Sequence, residues 1–186
     1  MIKIGITGSV ASGKSTVAKI LSRGIYPIFS ADKIVKKIYK KHNFKKKIKK
    51  TFNIKTNERL KIKIKEIIKK KKINLNKLEK IIHPIVRAEM HRFLKKENKK
   101  ICILEIPLLF ENKLQNFFDV IVFVHTAKNK RIKRFVKKGG TIEMFKILNK
   151  KQLNPKIKIK KSNYIFHNNK SIKDLKKNVN ISFKKK

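Results

Sequence analysis

The segment GSVASGKS, residues 8–15, decides the fold of this 186-residue chain. It matches the pattern G-x-x-x-x-G-K-[ST] at every fixed position. In such a segment the glycines let backbone amides curve around a polyphosphate, the lysine places its charge on the β- and γ-phosphates, and the serine hydroxyl binds Mg²⁺. The sequence therefore predicts a phosphate-binding loop for a nucleoside triphosphate, in which Gly8, Gly13, Lys14 and Ser15 contact the ligand.

The residues on either side supply the structural context that this pattern requires. Isoleucines alternate along residues 2–6 and predict a buried strand that ends at Gly8. Apolar residues at helical spacing over 15–23 predict a helix that begins directly after the loop. A strand, a glycine-rich turn and a helix in this order place the helix N-terminus against the phosphates.

The rest of the chain alternates between strands and helices. Further strands are predicted at 27–30, 101–107, 119–125 and 164–166. Helices are predicted through most of 33–100, with a break at His83-Pro84, and then at 128–138 and 141–151. Ser171 and Asp174 have the spacing of a capping pair that opens a last helix. This alternation predicts an α/β fold with a parallel sheet covered on both faces.

The chain carries 53 Lys and Arg against 11 Asp and Glu, a formal net charge of +42. A strongly basic domain is typical of nucleic-acid binding, but drift in an AT-rich genome also enriches lysine, isoleucine, asparagine and phenylalanine. Here 47 lysines are spread along the whole length and only six arginines are present. Because arginine is the better reader of bases and phosphates, this distribution favours the compositional explanation.

Composition also bounds the class of protein. A hydrophobic fraction of 40% argues against a disordered polyelectrolyte, and the length indicates one domain with room for a small insertion. The single cysteine, Cys102, forms no internal disulfide, which fits a reducing cytoplasm. No uncharged apolar run is long enough to span a bilayer, and the N-terminus does not resemble a signal peptide. We expect a soluble, cytoplasmic monomer.

Two carboxylates lie at or just after the ends of predicted strands. Asp32 comes just after the second strand and Glu105 lies near the end of the third. Because the carboxyl ends of parallel strands meet at one crevice, Asp32 can accept the proton of an acceptor hydroxyl; it can also cap the helix that follows. Glu105 can reach Mg²⁺ through water, or it can be a solvated strand end. The residues alone leave both pairs of alternatives open.

Five segments, in order along most of the chain, resemble the dephospho-CoA kinase family: GITGSVASGKST, IFSADKIV, IIHPIV, EIPLLFEN and NYIFHNN. Many P-loop kinases share the first segment, whereas the second and fourth are much more specific. The resemblance implies phosphorylation of the ribose 3′-hydroxyl of dephospho-CoA, the last step of CoA synthesis, with ATP and Mg²⁺ as cofactors. It also implies a P-loop kinase fold, a three-layer α/β/α structure with a parallel sheet, a helical substrate-binding insertion and a lid.

The resemblance also implies the regions of the chain and the roles of individual residues. We expect a single domain with its core at 1–32 and 101–180, a helical substrate-binding region at 33–100 and a lid at about 137–152. Asp32 is the expected base and acts with Lys14. ATP binding is assigned to Gly8, Ala11, Ser12, Gly13, Lys14, Ser15, Thr16, Lys138 and Asn168. Ser15 is also the metal ligand. Dephospho-CoA binding is assigned to Asp32, His83, Pro107, Leu108, Leu109 and Glu111, although His83 can instead be structural.

The chain departs from the family pattern in two places. Ser30 replaces the first aspartate of an Asp-Ala-Asp run, which leaves one carboxylate where the family usually has two. The lid reads KKGG at 137–140 where the family typically has Arg-Asp. Lys138 offers a point charge there and not a bidentate fork, so Arg131 and Arg134 on the preceding helix are possible substitutes.

Two other functions fit parts of the sequence. One is another small P-loop kinase that acts on a nucleoside or nucleotide. The other is a basic nucleic-acid-binding protein on a vestigial kinase fold. Aromatic residues make up only 8% of the chain and do not alternate along a basic strand, so no stacking platform for bases is visible. We expect no dedicated nucleic-acid partner and no membrane partner.

Overall fold

The computed structural model describes residues 1–55, 60–71 and 73–184. Its centre is a five-stranded sheet in the order β2-β3-β1-β4-β5. The strands are β1 (Ile2–Gly8), β2 (Ile28–Ser30), β3 (Ile101–Glu105), β4 (Val120–His125) and β5 (Tyr164–His167). Every neighbouring pair is parallel, which confirms the predicted fold class. Each of the five strands in the described part of the chain overlaps a segment that the sequence predicts as a strand.

One face of the sheet packs against the first and last helices, α1 (Lys14–Ser22) and α9 (Ile172–Lys184). Ile4 and Ile6 of β1 point to this face, where they join Val17 of α1 and Leu175 of α9 in one buried cluster. Because side chains alternate along a strand, the isoleucine pattern alone determines which face β1 turns towards α1. The burial of this face fixes the start of α1 next to the end of β1.

Between β4 and β5 lie three helices: α6 (Lys128–Lys137), α7 (Ile142–Lys150) and α8 (Pro155–Lys160). The first two confirm the predicted helices, and Gly139-Gly140 lies between them. The short helix α8 was not predicted, because its sequence PKIKIK alternates polar and apolar residues as a strand does. Asn154 caps this helix, because its side chain accepts a hydrogen bond from the Lys156 amide, and Pro155 is the first helical residue.

The described residues form two compact units: residues 1–31 with 93–186, and residues 32–92. The sheet belongs to the first unit, as does a 3₁₀ turn at Gln115–Phe117. The second unit is helical, as the sequence predicts. It contains α2 from Asp32 onwards (Ala31–Ile38), α3 (His42–Phe52), α4 (Leu60–Lys70) and most of α5 (Ile73–Lys96).

The predicted break at His83-Pro84 is wrong, because α5 continues through Pro84. A proline inside a helix removes one backbone donor. Buried apolar residues lie on both sides of it, with Ile82 before and Met90 after, and this packing keeps the segment helical. Neither α5 nor any other helix within the described ranges combines the length and the apolar character needed to cross a membrane.

The predicted capping pair at the start of α9 is confirmed. The Ser171 hydroxyl donates to Asp174 Oδ2 at 2.6 Å, and the Asp174 amide donates back to Ser171 Oγ at 3.1 Å. The second bond satisfies the Asp174 amide, which has no partner within the helix itself. The Ser171 hydroxyl and the Ser171 backbone amide both donate to the Asp174 carboxylate and lower the pKa of this carboxyl. The last helix therefore begins at the residue that the sequence indicates.

Candidate active site

The loop between β1 and α1 has the backbone of a phosphate cradle. Ala11 and Gly13 adopt positive φ angles, 58° and 94°. A Cβ atom on Gly13 would lie only 2.1 Å from Nδ2 of Asn168, so this position admits no side chain. Directly after it, α1 presents its first backbone amides and the positive end of its dipole to the loop.

Lys14 is held within this loop by the loop's own carbonyl groups. Its Nζ donates to the carbonyl oxygens of Gly8 at 3.2 Å and Ser9 at 3.1 Å. The residue is only 7% exposed, which is unusual for a lysine. The ammonium group is therefore held against the backbone of the loop.

Three residues from three elements form a second polar group, which we call the Ser15–Glu105–Ser30 cluster. The Ser15 hydroxyl donates to Glu105 Oε1 at 2.6 Å, and the Ser30 hydroxyl donates to Oε2 at 2.7 Å. Glu105 is 2% exposed, so it is not a solvated strand end. Its place follows from the sheet order, since β3 lies between β1 and β2 and pairs Glu105 with Ser30.

Two side chains from the ends of β4 and β5 support the other side of the loop. The hydroxyl of Thr126 and the amide nitrogen of Asn168 both donate to the Ser12 carbonyl, at 2.8 and 2.9 Å. Both residues are buried. The structure thus places Asn168 directly against the loop at residues 12–13.

The two arginines of α6 have different surroundings. Arg131 is buried and donates to the Thr126 carbonyl at 3.1 Å and to Asn149 Oδ1 at 2.8 Å, and its burial lowers the pKa of the guanidinium. Arg134 donates through NH2 to the Asn168 carbonyl at 3.1 Å, while its NH1 is buried without a hydrogen-bond partner in the described part of the chain. Lys138, at the end of α6, is exposed.

The run after β3 contains half-buried and fully buried residues. Pro107 and Leu108 are half-buried, whereas Leu109 is 0% exposed. Glu111 forms an ion pair with the fully buried Lys158 of α8, with Nζ 2.5 Å from Oε1. The Leu109 side chain is therefore packed inside the protein, and the Glu111 carboxylate is paired with a buried lysine.

Two predicted site residues belong to the second unit. Asp32 is the second residue of α2 and is exposed, so it lies in the first turn and not at the capping position. His83 is half-buried in the middle of α5. The remaining predicted residues belong to the first unit.

Sequence reasoning missed several residues that hold the loop. The Val10 amide donates to Oε1 of Gln152 at 2.9 Å, across 142 positions of the chain. Gln152 is one of only two glutamines, but nothing in its neighbourhood indicates a role. Lys158 could not be distinguished among 47 lysines. Thr126 follows a predicted strand, which was the one available signal.

The family model and the curated relatives that match this chain describe one family. A family model described as dephospho-CoA kinase matches residues 2–174. A dephospho-CoA kinase from Fusobacterium nucleatum is 35% identical over 181 residues, which cover 95% of this chain and 94% of that protein. A dephospho-CoA kinase structure from Campylobacter jejuni is 28% identical with a TM-score of 0.65, and the match covers 98% of this chain and 95% of the Campylobacter chain. A crystal structure from Thermus thermophilus is 27% identical with a TM-score of 0.79, covering 98% and 96%.

Proposed function

The chain belongs to the dephospho-CoA kinase family, and from this premise we propose how its own residues bind ATP and the acceptor. The enzyme transfers the terminal phosphoryl group of ATP to the ribose 3′-hydroxyl of dephospho-CoA in CoA biosynthesis. The observation that carries this function is the family match over residues 2–174, together with a complete phosphate loop at its start.

We propose that residues 8–16 bind the phosphates of ATP. Lys14 supplies a positive charge next to the backbone amides at the start of α1. Arg134 supplies a second charge, because its buried NH1 has no hydrogen-bond partner in the described structure and lies 3.8 Å from where a Gly13 side chain would begin. Its other nitrogen is already anchored on Asn168. This arrangement supports Arg134, more than the exposed Lys138, as the cation of α6 that contacts the nucleotide.

Mg²⁺ fits the Ser15–Glu105–Ser30 cluster. A carboxylate and hydroxyl oxygens are hard ligands of the kind that Mg²⁺ prefers, and Mg²⁺ usually takes one or two protein carboxylates together with substrate phosphates. The Ser15 hydroxyl donates its hydrogen to Glu105 and keeps its lone pairs for a metal. We propose Ser15 as the direct ligand and Glu105 as a ligand through water. When bound, Mg²⁺ neutralises charge on the phosphates.

We propose Asp32 as the base for the acceptor. Its carboxylate takes the proton of the ribose 3′-hydroxyl while the hydroxyl oxygen forms a bond to the terminal phosphorus and the bond to the ADP oxygen breaks. Its support is the resemblance, together with an exposed side chain in the first turn of α2. We further propose His83, Pro107 and Leu108 as acceptor contacts, with Leu109 and Glu111 supporting the run from within.

We propose that residues 33–100 form a helical acceptor-binding region and that residues at about 137–152 form a lid. We also propose a monomer working in the cytoplasm. A net charge of +42 disfavours association of identical chains, and the one cysteine is a free, buried thiol.

Incubation of the purified protein with MgATP and dephospho-CoA tests the activity and should yield ADP and CoA. A panel of nucleoside and nucleotide acceptors compared by kcat/KM should rank dephospho-CoA first. Folded protein that binds ATP but yields no CoA would refute the assignment.

Variants of the two proposed catalytic residues test the site. We expect Lys14→Ala and Asp32→Asn each to lower kcat by much more than about tenfold. The matched control is Lys19→Ala, which removes an exposed lysine of the same helix. An unchanged kcat in Asp32→Asn would remove the assignment of the base.

A further inference from the structure

One fully buried lysine lies outside the phosphate loop. Of the lysines within the described residues, Lys14 and Lys158 are the two that are buried. Lys158 of α8 is 0% exposed and pairs with Glu111. A buried charge is costly unless it is paired, and the many exposed lysines already supply positive charge. The explanation for this ion pair therefore lies in what it holds in place.

The pair holds the connection between α7 and α8. Oε1 of Glu111, the atom that contacts Lys158, also accepts a hydrogen bond from the Leu153 amide at 2.9 Å. Leu153 lies between the end of α7 and the start of α8. One carboxylate oxygen thus fixes both the helix α8 and the backbone that leads into it.

The residue before Leu153 contacts the phosphate loop. Oε1 of Gln152 accepts the hydrogen bond of the Val10 amide, and NH1 of Arg131 lies 3.4 Å from the Val10 carbonyl. Val10 is therefore held at both its backbone amide and its carbonyl, and the next residue, Ala11, takes the left-handed conformation at φ 58°. Because this conformation is unfavourable for alanine, the loop needs outside contacts to keep it.

We propose that Gln152 is a positioning residue for the phosphate loop, held in place by the Glu111–Lys158 pair. Gln152 acts on ATP binding only through the Val10 peptide. Without the acceptor oxygen, the loop spends part of its time in conformations that do not fit the phosphates, and the apparent ATP affinity falls by that fraction. This inference rests on the proposed role of residues 8–16 as the ATP site.

Gln152→Met tests the role, because it keeps the length of the side chain and removes the acceptor. We expect the Kd and KM for ATP to rise about threefold to tenfold, the value of one hydrogen bond, with the KM for dephospho-CoA unchanged. Calorimetric ATP binding and steady-state kinetics measure these constants. Gln115→Met, at the chain's other glutamine, is the matched control and should leave both KM values unchanged.

A second set of variants tests the ion pair. Lys158→Met leaves the Glu111 carboxylate buried and unpaired, so we expect a lower Tm and weaker ATP binding. Glu111→Gln combined with Lys158→Met removes both charges and keeps an acceptor oxygen for the Leu153 amide. This double variant should recover most of the Tm and of the ATP affinity, and it keeps the test usable if Lys158→Met does not fold.

Three results would overturn the inference: a wild-type Kd for ATP in folded Gln152→Met, an equal rise in the KM of both substrates, or a double variant that binds ATP no better than folded Lys158→Met.

Lys14→Ala separates this failure from that of the ATP site. Loss of ATP binding in Lys14→Ala without loss in Gln152→Met refutes the role of Gln152 alone. Wild-type ATP binding in Lys14→Ala refutes the ATP site, and the role of Gln152 with it.

Discussion

The buried carboxylate of Glu105 accepts hydrogen bonds from Ser15 and Ser30. At position 30 this chain has a serine where the resemblance leads one to expect an aspartate. Ser30 donates to Glu105 and so fixes the orientation of a carboxylate that belongs to the neighbouring strand. The negative charge of this part of the sheet edge therefore comes from β3 and not from β2.

Glu105→Gln keeps the shape of this side chain and removes its charge. We expect the Mg²⁺ concentration for half-maximal activity to rise roughly tenfold or more, as for other groups that support a metal without being its main ligand. Titration of activity with Mg²⁺ and measurement of Mn²⁺ binding by electron paramagnetic resonance check this. Ser30→Ala, which leaves the carboxylate in place, should change the requirement much less. An unchanged Mg²⁺ requirement in Glu105→Gln would contradict the metal role.

We expect His125 to make the stability of the fold depend on pH. Burial lowers the pKa of its imidazole, and the positive fields of His167 and Arg131 add to this effect. The folded protein therefore favours the neutral ring, whereas the unfolded chain takes up a proton near pH 6.5. The contribution of His125 to stability is complete above about pH 6.5 and is lost as the pH falls from there towards the lowered pKa.

We accordingly expect the Tm of the wild type to fall between about pH 7.5 and pH 5.5, and to fall less in His125→Gln. His42→Gln, which removes an exposed imidazole of α3, is the control and should keep the wild-type dependence. Thermal melts at both pH values measure it. Parallel pH profiles for His125→Gln and the wild type would show that this histidine does not titrate as argued.

At the scale of elements, α6 carries two arginines one turn apart with separate tasks. Arg131 ties the helix to Thr126 and Asn149, whereas Arg134 leaves one buried nitrogen without a partner in the described structure. We expect Arg131→Met to lower the stability by about 2 kcal/mol, because it leaves buried acceptors unpaired. Arg134→Met should raise the KM for ATP about tenfold with little change in Tm. Thermal melts and ATP titrations of both variants measure this; the opposite assignment of the two effects would contradict it.

The elements themselves were largely predictable, and the exceptions have physical reasons. The strands and the helices α1, α6, α7 and α9 follow from hydrophobic periodicity and from local signals such as Ser171 with Asp174. The continuity of α5 through Pro84 depends on packing on both sides of the proline, which local rules do not contain. The helix α8 was missed because a six-residue alternating segment has no decisive period.

At the scale of the whole molecule, the positive side chains that give the net charge of +42 repel one another in the folded state. Added salt screens this repulsion, since the Debye length falls to about 8 Å at physiological ionic strength. We expect NaCl to raise the Tm between about 20 mM and 300 mM, a range over which screening strengthens severalfold. An uncharged osmolyte at the same osmolality is the control. A Tm that falls with NaCl would contradict this prediction.

The same charge attracts polyanions, and both ATP and dephospho-CoA are polyanions. A dedicated nucleic-acid function would require more than this attraction, namely tight binding with a preference for sequence or structure. Weak, unselective binding that disappears with salt would only report the net charge. We therefore expect electrophoretic mobility assays at physiological salt to show no preference among RNA and DNA probes.

The sequence by itself determined the phosphate loop, the alternation of strands and helices and the family, because each depends on residues close together in the chain. Only the tertiary structure decided which distant residues meet. Glu105 reaches Ser15 and Ser30 because β3 lies between β1 and β2, and strand order has no local signal. Gln152 reaches Val10 because the segment that follows α7 lies next to the loop, although 142 positions of the chain separate the two residues. Such contacts depend on how the elements pack. In the sequence, the buried Lys158 therefore cannot be distinguished from the other 46 lysines.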